Sequence, residues 1–314
     1  MSDSTLVDWL LAAETPTIRY VTARYLLNLP EHDPQVQAAK QAIMTEGAVP
    51  AIFANQTETG QWANEHSYYT PKYVSTHWSM MLLTELHVDP TDERFQRGAD
   101  YMLSAVVEQV RQLTQQREHK LACLWGNILR YVLHAGKEDD PRTQALIEYG
   151  IHDLLDGHCP CPSNSNHDCA WGVVRMLWGA AAIPEKYQTP PLQQAVQHSL
   201  TFLLEDFQLM EANYPVADDG KIHKLWSRLS FPLMYQVDTL FTLRVLAELR
   251  ALEHPGAAAA LDWLETKRTQ KGNWQGGSPY RARTWAEIGG KEETNRWISL
   301  HAAMVLQQAG RISE

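Results

Sequence analysis

Four cysteines and one histidine within a short part of the chain are the residues best suited to bind a metal. The cysteines are Cys123, Cys159, Cys161 and Cys169, and His167 lies two residues before the last of them. Thiolates and imidazoles are preferred ligands of zinc, which takes four ligands in a tetrahedron. The sequence therefore predicts a zinc site formed by Cys123, Cys161 and Cys169, with His167, Cys159 or water as the fourth ligand.

Two of these cysteines occupy matching positions. Cys123 and Cys169 each lie two residues before a tryptophan, near the start of a predicted helix. A helix N-terminus stabilises a thiolate, which is the form of cysteine that binds metal. With four protein ligands the zinc would be structural, whereas an open position would let it activate a thiol or water. Packed free thiols and a disulfide are the alternatives to a metal site.

Acid–base chemistry is a second possibility, and it depends on titratable residues in apolar surroundings. Asp238 lies in the largely apolar segment 231–249, where burial would raise its proton affinity unless a cation pairs with it. His77 immediately precedes Trp78, and Lys72 lies a few residues earlier. Asp238, His77 and Lys72 are therefore the predicted catalytic residues. Four arginines on predicted inner helices are expected to pair with acidic side chains or to bind an anionic ligand such as diphosphate: Arg130, Arg175, Arg244 and Arg296.

The elements that must position these residues are helices. Apolar residues recur with a helical period along nearly the whole chain, and no segment alternates as a strand would. Aspartate followed by proline marks helix starts at Asp33 and Asp140. Helices are predicted at 3–13, 16–28, 34–46, 73–87, 92–110, 120–135, 141–155, 168–182, 190–206, 231–249, 255–269 and 295–309.

The predicted helices form pairs that repeat. Trp78, Trp125, Trp171 and Trp297 each lie near the start of an apolar helix, and the first three are almost evenly spaced. The pattern predicts six helical hairpins in one domain, residues 1–314, as an open solenoid or a closed (α/α)6 toroid. We favour the toroid, because neither terminal hairpin has the polar face of a capping repeat. Long loops between hairpins are predicted at 47–72, 156–167, 207–230 and 270–294.

Composition and charge exclude several classes of function. The chain has 314 residues and a net charge of −10, which disfavours partners such as nucleic acids and anionic membranes. It contains no apolar run long enough for a transmembrane helix, and its N-terminal residues lack the features of a secretory signal. We therefore expect a cytoplasmic protein, in which paired disulfides are rare.

A heptapeptide motif points to a known family. Gln56–Trp62 is a full QxxxGxW motif, Arg268–Trp274 repeats it with arginine in the first position, and Asp153–Cys159 is a degraded copy. This motif is the QW repeat of squalene–hopene and oxidosqualene cyclases. Over most of its length the chain resembles the prenyltransferase/squalene-oxidase repeat proteins, and the resemblance implies their (α/α)6 toroid fold.

The resemblance also implies a function. It suggests a zinc-containing enzyme of the terpenoid cyclase and prenyltransferase type, acting on an apolar or isoprenoid-like molecule in a central cavity. Tryptophan ring faces lining such a cavity would stabilise carbocations. Two departures stand against a triterpene cyclase, because the DxDD motif is missing and only one toroid is present. The alternatives are a non-enzymatic toroid that binds a ligand or peptide and has a structural zinc, and a zinc-dependent enzyme acting on sugars or peptides.

Overall fold

The computed structural model describes residues 3–207, 209–210 and 223–312, and within these ranges it is all-helical, without a β-strand. This confirms the all-α prediction. No helix in the same ranges combines the length and the apolar character needed to cross a membrane. The α-helices are α1 (Asp3–Leu11), α2 (Pro16–Val21), α3 (Pro34–Thr45), α4 (Ala48–Phe53), α5 (Thr76–Glu85), α6 (Glu93–Gln116), α7 (Ala122–His134), α8 (Pro141–Leu155), α9 (Ala170–Ala180), α10 (Pro190–Thr201), α11 (Thr239–Glu248), α12 (Ala258–Thr266) and α13 (Lys291–Gln308).

Capping side chains fix several helix starts. Asp33 accepts a hydrogen bond from the backbone N–H of Gln35 at 2.8 Å, and Asp140 accepts one from Arg142 at 2.8 Å. In both cases proline follows the aspartate, so its missing N–H costs the helix nothing. The predicted starts of α3 and α8 are confirmed for this reason.

One predicted helix starts too early. The segment 231–249 is predicted as helical, but α11 begins only at Thr239. Asp238 caps it by accepting a hydrogen bond from the backbone N–H of Phe241 at 2.7 Å, and the residues before it run as irregular chain. Of the predicted loop 207–230, residues 208 and 211–222 lie outside the described ranges.

Burial divides the helices into two layers. Every residue of α5 is buried, and α7, α9, α11 and α13 are buried over most of their surface. By contrast, α3, α6, α8, α10 and α12 each bury one apolar stripe and expose the opposite face. Such a stripe is the pattern of a helix that packs on a core from outside. The first set is therefore an inner layer and the second an outer layer.

Neighbouring helices within each layer follow the chain order. In the inner layer α5 contacts α7, α7 contacts α9, α9 contacts α11, and α11 contacts α13. In the outer layer α6 contacts α8, and α8 contacts α10. The last inner helix, α13, also contacts α1 and α2, so the two ends of the described chain pack on each other.

A buried carboxylate maintains this contact between the ends. Glu293 in α13 accepts hydrogen bonds from the backbone N–H groups of Glu14 at 3.2 Å and Thr15 at 2.9 Å, and it pairs with Arg296. Thr15 directly precedes α2, so the carboxylate of Glu293 binds the positive end of that helix. Glu293 is only 3% exposed, and its charge is therefore stable only with these donors around it.

The two QxxxGxW motifs bind the preceding helix in the same way. The indole Nε1 of Trp62 donates to the carbonyl oxygen of Ile52 in α4 at 2.8 Å, and that of Trp274 donates to Leu264 in α12 at 2.8 Å. Both indole rings are fully buried. Each tryptophan thereby covers the last turn of the helix before it and gives one of its terminal carbonyl groups a second hydrogen-bond donor.

Both motifs also bind the helix that follows them in the same way. The backbone N–H of Trp62 donates to Thr76 Oγ1 in α5 at 3.1 Å, and that of Trp274 donates to Ser299 Oγ in α13 at 2.9 Å. The motif glycine Gly60 has a φ of +89°, a conformation that glycine adopts without strain. The motif therefore links consecutive helices and acts as a structural connector.

Alanine at Gly60 tests this packing. The added Cβ would lie 2.7 Å from the carbonyl oxygen of Arg97, whereas at Gly136, where φ is also positive, it would meet no atom within 4 Å. We expect Gly136→Ala to lower the free energy of unfolding by about 1 kcal/mol through backbone strain alone. Gly60→Ala adds a steric clash, and we expect a loss of about 3 kcal/mol in urea unfolding. Equal losses at both positions would show that the motif is not tightly packed.

Candidate functional site

An apolar cavity of about 210 Å³ lies at the N-terminal ends of α5 and α7, and we call it the aromatic pocket. Cys123 and Leu124 reach it from the first turn of α7, while His77 and Trp78 reach it from the first turn of α5. The lining is mostly aromatic, with one thiol and one imidazole. It consists of Tyr68, Tyr69, His77, Trp78, Leu121, Cys123, Leu124 and Tyr235.

The aromatic rings of the pocket hold one another in place. The indole Nε1 of Trp78 donates to the carbonyl oxygen of Tyr69 at 2.8 Å, and the two ring centroids lie 4.8 Å apart. The exposed Lys72 spans the rim, with its Nζ 5.7 Å from the ring centroid of Tyr69 and 5.2 Å from that of Tyr235. At these distances the ammonium group is attracted to both rings, so Lys72 is held beside the pocket without lining it.

His77 provides a neutral imidazole in the wall. It is 1% exposed, and its Nδ1 lies 3.4 Å from the hydroxyl oxygen of Tyr131. Burial, with a smaller effect of the nearby Arg175, lowers the pKa of His77 to about 3. At neutral pH the ring is therefore uncharged and can both donate and accept a hydrogen bond.

The thiols of three cysteines are neighbours beside the pocket. Burial, together with the nearby Cys161, raises the pKa of Cys123 to about 11. A hydrogen bond with Cys161, followed by burial, raises the pKa of Cys169 well above its ordinary value. Cys169 also caps α9, because its Sγ accepts the backbone N–H of Gly172 at 3.4 Å. Cys123, Cys161 and Cys169 thus lie near one another, and all are free thiols.

The remaining two candidate zinc ligands lie at the edges of this thiol cluster. His167 is exposed, and its carbonyl oxygen accepts the backbone N–H of Cys161 at 3.1 Å. Cys159 is buried, and burial followed by the nearby Asp153 raises the pKa of its thiol well above the ordinary value. Within the described ranges, the cysteines do not form a group of three ligand atoms that all lie within 4.8 Å of one another. The thiols meet in pairs, and a metal would have to draw them together.

Asp238 is not part of the pocket lining, and its carboxylate binds backbone N–H groups. It is 1% exposed, and its two carboxylate oxygens accept the backbone N–H groups of Ser230 at 2.9 Å and Phe241 at 2.7 Å. Burial raises the pKa of Asp238 to about 7 despite these bonds. One carboxylate oxygen therefore caps α11 and the other binds the chain before the helix, while the catalytic role of Asp238 stays a prediction.

Three of the four predicted inner arginines form ion pairs. Arg244 pairs with Glu85 at 2.9 Å, Arg130 with Glu248, and Arg296 with Glu293. The fourth, Arg175, forms no ion pair with an acidic side chain within the described ranges.

Arg175 is a fully buried cation below the aromatic pocket. One guanidinium nitrogen donates to the carbonyl oxygen of Gln236 at 2.7 Å, and the guanidinium carbon lies 3.9 Å from the ring centroid of Phe241. Burial lowers the pKa of Arg175 to about 9. Its Nε and the amide nitrogen of Asn127 have no hydrogen-bond acceptor among the described residues. Two such donors favour an anionic or carbonyl oxygen nearby.

The predicted site residues are thus partly assembled. His77 and Cys123 line the pocket, and Lys72 lies beside two of its rings. Cys161 and Cys169 adjoin Cys123, while His167 and Asp238 are not among the lining residues. No protein-family model, curated protein or solved structure matches this chain. Its function therefore has to follow from the chemistry of these residues.

The sequence analysis missed a second cluster. His119, His152 and Asp156 each place one ligand atom within 4.8 Å of the other two. His152 and Asp156 are four residues apart at the end of α8, a spacing that puts two side chains on one face of a helix. The spacing of His152 and Asp156 is the one sequence signal for this cluster, because His119 lies far from both in the sequence.

Asparagine at position 238 tests the buried carboxyl group. An unfolded aspartate has a pKa near 4, whereas the folded value is about 7. Between these values the folded chain retains a proton that the unfolded chain has lost, so stability falls as pH rises through this range, by about 3 kcal/mol. We expect Asp238→Asn to abolish this fall. At low pH the variant should be less stable than the wild type, because the backbone N–H of Ser230 loses its acceptor.

Urea unfolding at a series of pH values measures this effect. Asp33→Asn, at the more exposed cap of α3, is the matched control and should retain the wild-type fall. An unchanged pH dependence in Asp238→Asn would assign the fall to other groups.

Proposed function

We propose that the chain is an (α/α)6 toroid related to the prenyltransferase/squalene-oxidase repeat proteins, with residues 1–314 forming one domain. Two observations support this. The inner helices contact one another in chain order and α13 returns to α1 and α2, as closure of a ring requires. The two QxxxGxW motifs also make equivalent hydrogen bonds to the helices before and after them.

The aromatic pocket is the proposed substrate site, and the proposed function rests on its chemistry. Its lining is apolar, and the titratable groups in its wall are held neutral by burial. A dry cavity of about 150 Å³ holds benzene, so a pocket of about 210 Å³ suits a hydrocarbon group of about one to two isoprene units. The aromatic faces would stabilise positive charge on such a group. We therefore propose an apolar, isoprenoid-like substrate.

The thiol cluster is the proposed zinc site. Cys123 belongs both to the pocket wall and to the cluster, so a metal held by Cys123, Cys161 and Cys169, with His167, would lie next to the substrate. Zinc with an open position would activate a thiol or water. The raised pKa values of Cys123 and Cys169 imply that these thiols are protonated without a metal and release protons when one binds.

The chain's own residues would assist in two ways. His77, neutral and directed at the pocket, can accept or donate a proton at the substrate. Lys72, at the rim, is placed to bind an anionic end of the substrate while its apolar part enters the pocket. The competing proposal is a binding protein with a structural zinc, and the capping role of Asp238 favours it, because one predicted acid is already engaged.

Cobalt binding tests the zinc site. Cobalt(II) bound by thiolates absorbs intensely through sulfur-to-metal charge transfer, and we expect this absorption in the wild type. Cys169→Ser retains an oxygen that can accept the N–H of Gly172 and cap α9, so the fold should persist while the absorption is lost. Cys159→Ser is the matched control and should keep it, because that thiol lies beside Asp153. Wild-type protein without the absorption would disprove the site.

Ligand binding tests the pocket. We expect geraniol to quench the tryptophan fluorescence saturably, because Trp78 lines the cavity. Leu124→Phe fills the cavity and should weaken binding at least about tenfold. Leu133→Phe, which adds the same volume near the other end of α7, is the matched control and should bind normally. Equal affinities of the two variants would place the ligand elsewhere. Conversion of geranyl diphosphate, followed by mass spectrometry, separates an enzyme from a binding protein.

A further inference from the structure

A second group of metal-binding side chains lies outside the thiol cluster and the aromatic pocket. His119 comes from the connection between α6 and α7, while His152 and Asp156 come from the end of α8. One nitrogen from each imidazole and one carboxylate oxygen lie within 4.8 Å of one another. The two imidazole rings stack with their centroids 4.6 Å apart. Three side chains of two ligand types that bind the same metals are therefore already gathered.

The surroundings orient these side chains. His119 Nδ1 lies 2.9 Å from Oδ1 of Asp153, a carboxylate that is completely buried. A carboxylate that accepts the N–H of one ring nitrogen fixes the ring and leaves the other nitrogen as a metal ligand, the usual arrangement around protein-bound metals. Asp153 is thus placed to position His119.

His152 and Asp156 already face each other. The side chain of His152 is 9% exposed, and its Nδ1 lies 2.8 Å from Oδ2 of Asp156. Two ligand atoms that each lie about 2.1 Å from a zinc ion are about 3 to 3.5 Å apart, so this pair needs only a small movement to bind one ion.

We propose that His119, His152 and Asp156 bind a divalent transition metal such as zinc or cobalt, with Asp153 as the positioning residue. Two imidazoles and one carboxylate favour these ions over calcium and magnesium, which prefer oxygen ligands. Three protein ligands leave a position for water. The site ties the start of α7 to the end of α8, and it does not depend on the thiol cluster.

Arg117 competes with the metal. It forms an ion pair with Asp156, and its side chain is 70% exposed, so it can turn into solvent when a metal binds. Its positive charge repels a metal ion at the cluster, and the repulsion is weak because the side chain is exposed to water. Removal of this charge by Arg117→Ala should therefore tighten metal binding, by about three- to tenfold.

Isothermal titration with Co²⁺ alone, on protein stripped of metal by a chelator, tests the proposal. We expect His152→Ala and Asp156→Asn each to bind one ion fewer than the wild type while keeping its circular dichroism. His254→Ala, which removes a histidine paired with Glu205 away from the cluster, should bind as the wild type does. Asp156 is partly exposed, so its replacement is the variant least at risk of unfolding.

The outcome is separable from that of the zinc–thiol proposal. Loss of one ion in His152→Ala with unchanged thiolate absorption supports the histidine site. A Co²⁺ stoichiometry that is equal in the wild type, His152→Ala and Asp156→Asn overturns it, as does an Arg117→Ala variant that binds less tightly than the wild type. If Cys169→Ser alone loses its ion, the thiol site stands and the histidine site fails.

Discussion

The carboxylate of Glu293 is the interaction on which the rest of the architecture depends. It binds the backbone at Thr15, at the start of α2, although the two residues are far apart in the sequence. A buried carboxylate at a helix N-terminus is stabilised by the helix dipole and by the N–H groups it accepts. This bond keeps α13 beside α2, and the inner helices α5 to α11 then pack between fixed neighbours. The pocket needs that rigidity, because its walls come from separate helices.

Burial also sets the chemistry of the pocket. It lowers the pKa of His77 to about 3 and raises those of Cys123 to about 11 and Tyr69 to about 12, so the wall is neutral over the physiological pH range. A neutral aromatic wall attracts cations through its ring faces and does not stabilise anions. Together with Lys72 at the rim, this arrangement suits a molecule with an apolar body and a charged end.

The sequence predicted what depends on local pattern. Helix caps such as Asp33, and motifs such as Gln56–Trp62, act over a few residues and were recognised directly. The predicted start of α11 at residue 231 is wrong because the apolar residues before Asp238 are buried without being helical. Hydrophobic periodicity does not distinguish a buried helix from buried irregular chain. The repeat predicts that Cys123 and Cys169 lie side by side. Which thiols come closest, Cys161 with each of the other two, depends on how the loop packs. His119 is not predicted as a ligand because it lies in a loop, more than thirty residues before its partners at the end of α8.

The two candidate metal clusters meet at a single buried residue. Asp153 binds His119 through Oδ1, and burial followed by this carboxylate raises the pKa of the Cys159 thiol, close before Cys161 in the loop that leads to α9. An ion bound to His119, His152 and Asp156 would fix the end of α8, from which this loop departs. Asp153 therefore lies between the two clusters, and neither cluster uses it as a metal ligand.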